Sequence, residues 1–189
     1  MKITTRINRQ ADKALDSISR DGLKSDTLAA AEKFEAEDDP KMAALVYEKI
    51  GMEAKAKEMW KKYGAKEEKR ISNFADYCQG YEYINCADAF AKAGNNEKAR
   101  EMLSRAIKEK GDLSGAKAEK FRQAEGFDKT AALKVLEDSL ETEAKAYEKL
   151  GVTEKAKAAW GKIAETLKDY KNIGYIEYAA KRSRGIIND

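Results

Sequence analysis

The side chains that could carry chemistry are few. Tyr77, Tyr81, Tyr83 and Phe90 crowd one short stretch. Such rings stack on bases and anchor protein interfaces, and on adjacent helical turns they also serve as core with a hydrogen-bonded tip. Cys78 and Cys86 form no CxxC pair and supply no four-ligand zinc site. They read as two small, partly buried groups in a reducing compartment, with a regulatory disulfide as the alternative. The acidic run from Glu35 to Asp39 does not match the spacing of an EF-hand loop and reads as a solvated helix end before Pro40. Gly94-Asn95-Asn96 fits no phosphate-loop pattern and reads as an inter-helix turn. The chain has no histidine, which removes the commonest general base near neutral pH and the commonest metal ligand. The expectation is a protein without catalytic residues, cofactor or metal; a helical enzyme built on carboxylates or tyrosine is the outlying reading.

Lysines supply the other candidate chemistry. Lys49, Lys92 and Lys149, and Lys55, Lys98 and Lys155, recur on either side of three turn glycines. The second set just precedes a small alanine and is expected to point outward. A row of ammonium groups along one edge would bind an acidic tail or a phosphate backbone. Against that, 37 basic and 34 acidic residues leave a net charge of only +3, as on a solvated mixed-sign surface.

The elements that must position these groups are helices. Charged residues make up 38% of the chain and there is a single proline. A first helix is expected to carry Ile3, Ile7, Ala11, Leu15 and Ile18 on one face and to end at Asp21-Gly22. It reads as a packing helix rather than a membrane-surface one, because Asp12, Asp16 and Asp21 interrupt its basic face. Ser25 is a candidate N-cap for a second helix reaching about Glu37, and Asp39-Pro40 opens a third that Gly51 closes. Extra helices are expected over 66–79, 114–126 and 128–139, the last capped by Asp128, for about eleven or twelve in all. Phe121, Ala124, Ala131, Leu133 and Leu136 should lie inside. No apolar run approaches the roughly 18 residues that span a membrane, and no secretory leader is evident, so a cytoplasmic protein is expected.

One segment occurs twice. Residues 44–64 and 144–164 share ten of twenty-one positions, including Ala44/Ala144, Tyr47/Tyr147, Glu48/Glu148, Gly51/Gly151, Ala56/Ala156 and Trp60/Trp160. Ala87, Phe90, Gly94, Ala99 and Leu103 repeat the same ladder of small and large residues between them. The glycine reverses the chain, the following alanine lets the second helix approach the first, and the large residue four later fills the gap beside it. Both tryptophans are expected in the core.

This pattern resembles the tetratricopeptide (TPR) repeat. The middle copy matches best, through Tyr83, Cys86, Ala87, Phe90, Gly94, Ala99, Leu103 and Ala106. The departures are plain: Gly111 replaces the closing proline, Pro40 and Leu140 replace the first-helix tryptophan, and the turn glycines are 43 and 57 residues apart rather than 34. The irregularity is similar to divergent arrays such as the SNAP family of vesicle-fusion adaptors. The resemblance implies an all-α, right-handed superhelical array of helix–turn–helix repeats in one domain over 1–189. Its units would lie near 40–64, 80–110, 114–139 and 140–168, with a capping helix at 171–184 whose Lys181, Arg182 and Arg184 face solvent. It also implies a groove lined by the first helix of each unit, with Leu45, Lys49, Asn85, Asp88, Lys92, Lys145 and Lys149 as the candidate partner-binding residues. The expected function is a scaffold or adaptor that holds a peptide or helical protein partner. The alternative is association with nucleic acid or ribonucleoprotein through the lysine edge and the tyrosine cluster.

Overall fold

Asp39-Pro40 sets the first clear boundary. The Asp39 carboxylate accepts a hydrogen bond from the Met42 amide at 3.1 Å, and Pro40 takes the first helical position, where a missing N–H is no loss. In the computed structural model, which describes residues 24–111, 115–170 and 173–185, this boundary separates α1 (Lys24–Ala36) from α2 (Pro40–Lys49). Gly51 ends α2 at φ +75°, and the Met52 amide reaches back to the Tyr47 carbonyl at 2.9 Å. The chain continues as α3 (Glu53–Asn73), α4 (Gly80–Lys92), α5 (Asn96–Arg105), α6 (Ala116–Gln123), α7 (Gly126–Lys149), α8 (Thr153–Leu167) and α9 (Ile173–Ser183). Every regular element among the described residues is helical. The expected helix before Asp21-Gly22 lies outside them, and Ser25 stands within the first turn of α1 rather than before it.

Two expected breaks are absent, so fewer helices form among the described residues than the punctuation predicts there. A separate helix over 66–79 does not exist, because α3 runs unbroken through Gly64 to Asn73. A Cβ on Gly64 would stand 3.1 Å from the Phe90 ring, so this glycine serves close packing rather than chain reversal. Likewise, no boundary separates 128–139 from the residues after it. Ser139 and Leu140 stand where the first copy has Asp39 and Pro40, and they neither cap nor break. Leu136, Leu140 and Ala144, one turn apart and all fully buried, carry a continuous apolar stripe through the junction. Asp128 therefore lies in the first turn of a 24-residue helix rather than at the cap of a short one. Ala131 is exposed instead of inside.

The chain forms two compact units, one from the residues up to Glu67 with Ala89–Asn95, the other from Glu68–Asp88 with the residues from Asn96 onward. In the first, Ala31, Ala43, Ala44, Tyr47, Ala56, Met59 and Trp60 form the core. In the second, Phe121, Leu136, Leu140, Ala144, Trp160, Ile163, Leu167 and Ala179 do. The alanines and aromatic residues of the ladder are thus buried in both copies, except that Tyr147 is only partly covered, while the turn glycines Gly51 and Gly151 are exposed.

Polar groups are matched across elements where helices end inside a unit. The Gly80 amide at the start of α4 donates to the Asp138 carboxylate of α7 at 3.1 Å. A Cβ on Gly80 would fall 1.7 Å from Thr142 Oγ1, so only glycine permits this approach. α5 runs into a π turn, Ala106–Lys110. The last carbonyls there, Lys110 and Gly111, accept from the Lys117 ammonium, which also reaches Ser139 Oγ at 2.6 Å. Among the described residues no helix is long and apolar enough to cross a membrane.

Candidate partner-binding cleft

A buried indole needs an acceptor for its N–H, and each repeated hairpin supplies the same one. Trp60 Nε1 donates to Glu48 at 2.7 Å, and Trp160 Nε1 donates to Glu148 at 2.6 Å. Each pair is then closed by a cation from a later helix. In the first unit the Lys92 ammonium of α4 sits 4.1 Å from the Trp60 ring centroid and 3.4 Å from Glu48. In the second the Arg182 guanidinium of α9 lies 5.3 Å from the ring centroids of both Trp160 and Tyr178 and 3.4 Å from Glu148. Arg182 Nε also donates to the Tyr178 hydroxyl at 3.0 Å. The guanidinium was expected to face solvent; its side chain is only 5% exposed. An aromatic face and a carboxylate beside it together stabilise a desolvated cation. Lys181 and Arg184 are exposed, as expected.

Around this latch α7, α8 and α9 leave a cleft of about 550 Å³. Trp160, Ala156 and Tyr178 form its apolar floor, and Lys145, Lys149, Lys157 and Arg182 outnumber Glu148 along its walls. The ammonium groups are held by acids at the surface. Lys149 pairs with Asp88 at 2.8 Å, Lys157 with Glu154 at 3.1 Å, and Lys145 with Glu141 one turn earlier. Glu141 accepts in addition from the Tyr175 hydroxyl at 2.6 Å, and burial first, then this bond, pushes the Tyr175 phenol well above its ordinary range.

The seven residues expected at a groove divide between the units. Leu45, Lys49 and Lys92 belong to the first, where Leu45 packs against the core, Lys49 is exposed and Lys92 covers Trp60. Asn85, Asp88, Lys145 and Lys149 belong to the second. There Lys145 and Lys149 line the cleft, Asp88 pairs with Lys149, and Asn85 is half-buried. The outward-pointing lysines have partners of their own. Lys55 lies 5.1 Å from the Tyr47 ring centroid and Lys155 5.5 Å from that of Tyr147, while Lys98 pairs with Glu68.

The aromatic cluster splits. Tyr83 and Phe90 are core, and the Tyr83 hydroxyl donates to Glu109 at 2.6 Å. Burial and that carboxylate raise the phenol far above its usual value. Tyr77, at 86% exposure, and Tyr81 face outward. Cys78 and Cys86 are buried thiols without a disulfide. Burial first, then the Glu82 charge, raises the Cys78 thiol.

Sequence reasoning missed the roles of Glu48, Glu148, Lys92 and Arg182 around the tryptophans. The signal was present for the glutamates, since both are identities between the copies and each precedes its tryptophan by twelve residues. For Arg182 there was none, because the residue closing the second latch comes from a helix outside the repeated segment. No protein-family model matches the chain, and comparison with curated proteins and with solved structures finds no match.

Proposed function

We propose that this chain is a non-catalytic interaction module, a TPR-like right-handed array of helix–turn–helix units ending in a capping helix. It would hold a peptide or helical segment of a protein partner in the α7–α8–α9 cleft. The observation that supports this best is the meeting of Lys145 and Lys149 with an aromatic floor in one cleft. A partner's carboxylates would take the exposed ammonium groups over from Glu141, Asp88 and Glu154. That exchange costs little, since exposed ion pairs are worth about 0–1 kcal/mol. Arg182 would stay in place, buried between the rings, and keep the floor rigid.

Capture from a native lysate, with and without nuclease, tests the reading when the wild-type chain is run beside Lys145→Glu/Lys149→Glu. A defined protein that survives nuclease and is lost from the double variant is the expected result. Retention of the same protein by the variant would exclude the cleft. Loss of every bound species on nuclease treatment would replace the protein partner with nucleic acid.

A further inference from the structure

Two aspartates at the same place in the two repeated hairpins adopt different backbones. Asp138 lies inside α7, which runs from Gly126 to Lys149 without a break. Asp38 stands between α1 and α2 at φ +56°, and among the described residues it is the one non-glycine residue at positive φ. Aspartate tolerates the left-handed region better than most residues, but glycine takes it with less strain. The next residue, Asp39, precedes Pro40, which biases it towards extended backbone. An open hinge, with residues 38 and 39 extended and α1 swung away from α2–α3, is thus a relaxed state of the same segment.

Contacts from α2 and α3 hold the hinge closed. The Lys66 ammonium of α3 donates to the Asp38 carboxylate at 2.7 Å and to the Asp38 carbonyl at 3.0 Å. The second copy carries Thr166 in the place of Lys66, and there the chain does not reverse. Glu35, in the last turn of α1, accepts from the Tyr47 hydroxyl at 3.3 Å and from the Lys62 ammonium at 3.1 Å. Leu28, Ala31 and Phe34 of α1 join the core that holds Ala43, Ala44 and Tyr47. None of these contacts needs α1 and its seat to belong to the same copy. A short loop under strain, joining an element to its own seat, is the arrangement from which identical elements exchange between copies.

We propose that α1 is an exchangeable helix and that its seat on α2–α3 also takes α1 of a second copy of this chain. In the exchanged dimer each α1 lies on the other copy, with Glu35 meeting Tyr47 and Lys62 across the two chains. The occupant is a second copy because α1 already fits the seat in shape and charge. Exchange keeps the helix–seat contacts of the closed monomer and releases Asp38 from the left-handed region in both copies. It gives up the clasp that Lys66 makes at the hinge. Asp38 and Lys66 therefore set the balance between monomer and dimer. Where the α7–α8–α9 cleft binds as proposed above, the dimer presents it twice; the exchange itself does not depend on that reading, since the cleft belongs to the other unit.

The full chain, incubated at millimolar concentration and analysed by size-exclusion chromatography with light scattering, should yield a dimer that dissociates on dilution. Lys66→Ala removes the clasp, and Asp38→Val puts a β-branched side chain where positive φ strains it. Each should raise the dimerisation constant at least about tenfold, and Asp38→Gly, which relieves the closed hinge, should lower it about tenfold. Lys66 is exposed, so Lys66→Ala keeps the fold and carries the test even where Asp38→Val does not fold. In dimers assembled from one isotopically labelled and one unlabelled copy, filtered NOEs between Glu35 and the Tyr47 ring should run between copies. A Lys66→Ala chain that stays monomeric at the same concentration would overturn the proposal, as would a dimer whose Glu35–Tyr47 NOEs remain within each copy. Equal dimerisation of Asp38→Gly and Asp38→Val would overturn the role given to the hinge.

Discussion

Trp60 and Trp160 meet the same requirement and are held differently. Each indole donates to a glutamate twelve residues earlier, but Lys92 is an exposed ammonium over the ring whereas Arg182 is buried beside it. Removing the glutamate therefore has unequal consequences. Glu48→Ala leaves one indole N–H unpaired and should cost about 1–2 kcal/mol. Glu148→Ala also takes the Glu148 carboxylate away from a buried guanidinium and should cost about 2–4 kcal/mol. Thermal or urea melts of the two variants read the difference, and equal losses would mean that the other contacts of Arg182, Tyr178 among them, compensate for the lost carboxylate. Arginine suits a helix C-terminus from charge alone; its burial was not foreseeable, because the Trp160 ring and the Glu148 carboxylate that receive it lie on other helices.

At the scale of elements, the start of α4 depends on a side chain from α7. Asp138 accepts from the Gly80 amide, yet it is largely buried, and desolvation raises its carboxyl above the ordinary aspartate value despite that bond. A folded-state value above the unfolded one means that the folded chain holds the proton more tightly. Stability therefore falls as pH rises from the ordinary aspartate range through the raised folded value, and the full cost of the buried charge is present above that value. Asp138→Asn keeps an oxygen for the Gly80 amide and removes the charge. Its Tm should exceed that of the wild type at pH 7, with the gain shrinking as pH falls to about 4. Asp138→Ala, which removes the acceptor, should melt lower than both. Calorimetry across that pH range checks the order, and an asparagine variant as weak as the alanine one would contradict it. The cap itself was hidden from the sequence, since donor and acceptor are 58 residues apart. The caps that were legible, Asp39-Pro40 and Gly51, are local.

For the whole molecule, the repeat places one tryptophan in each compact unit. Trp60→Ala and Trp160→Ala should each cost about 3–5 kcal/mol through the cavity they leave. Hydrogen exchange should locate the damage: faster exchange in α1 and α2 for the first variant, in α8 and α9 for the second. Exchange that rises uniformly in both variants would show that the units unfold as one. The candidate function belongs to this scale too. Lys145 and Lys149 were read from spacing as groove residues, and spacing did locate them on α7. It could not say that Lys149 would meet Asp88, that Lys92 would cover an indole, or that the remaining wall would come from α9.

By itself the sequence determined the helical class, the repeated hairpin, its closing glycines and the burial of both tryptophans. Each of these depends on interactions within about five residues or on the match between copies, so they are written locally. Tertiary structure alone decided that Gly64 packs instead of turning the chain, that α7 runs through the second copy's expected boundary, and that Arg182 goes inside. It also decided that α1 covers the first hairpin, with Glu35 reaching Tyr47 and Lys62. Those outcomes depend on partners far away in the chain. The same residue type can face solvent, pack or close a cleft according to what arrives opposite it.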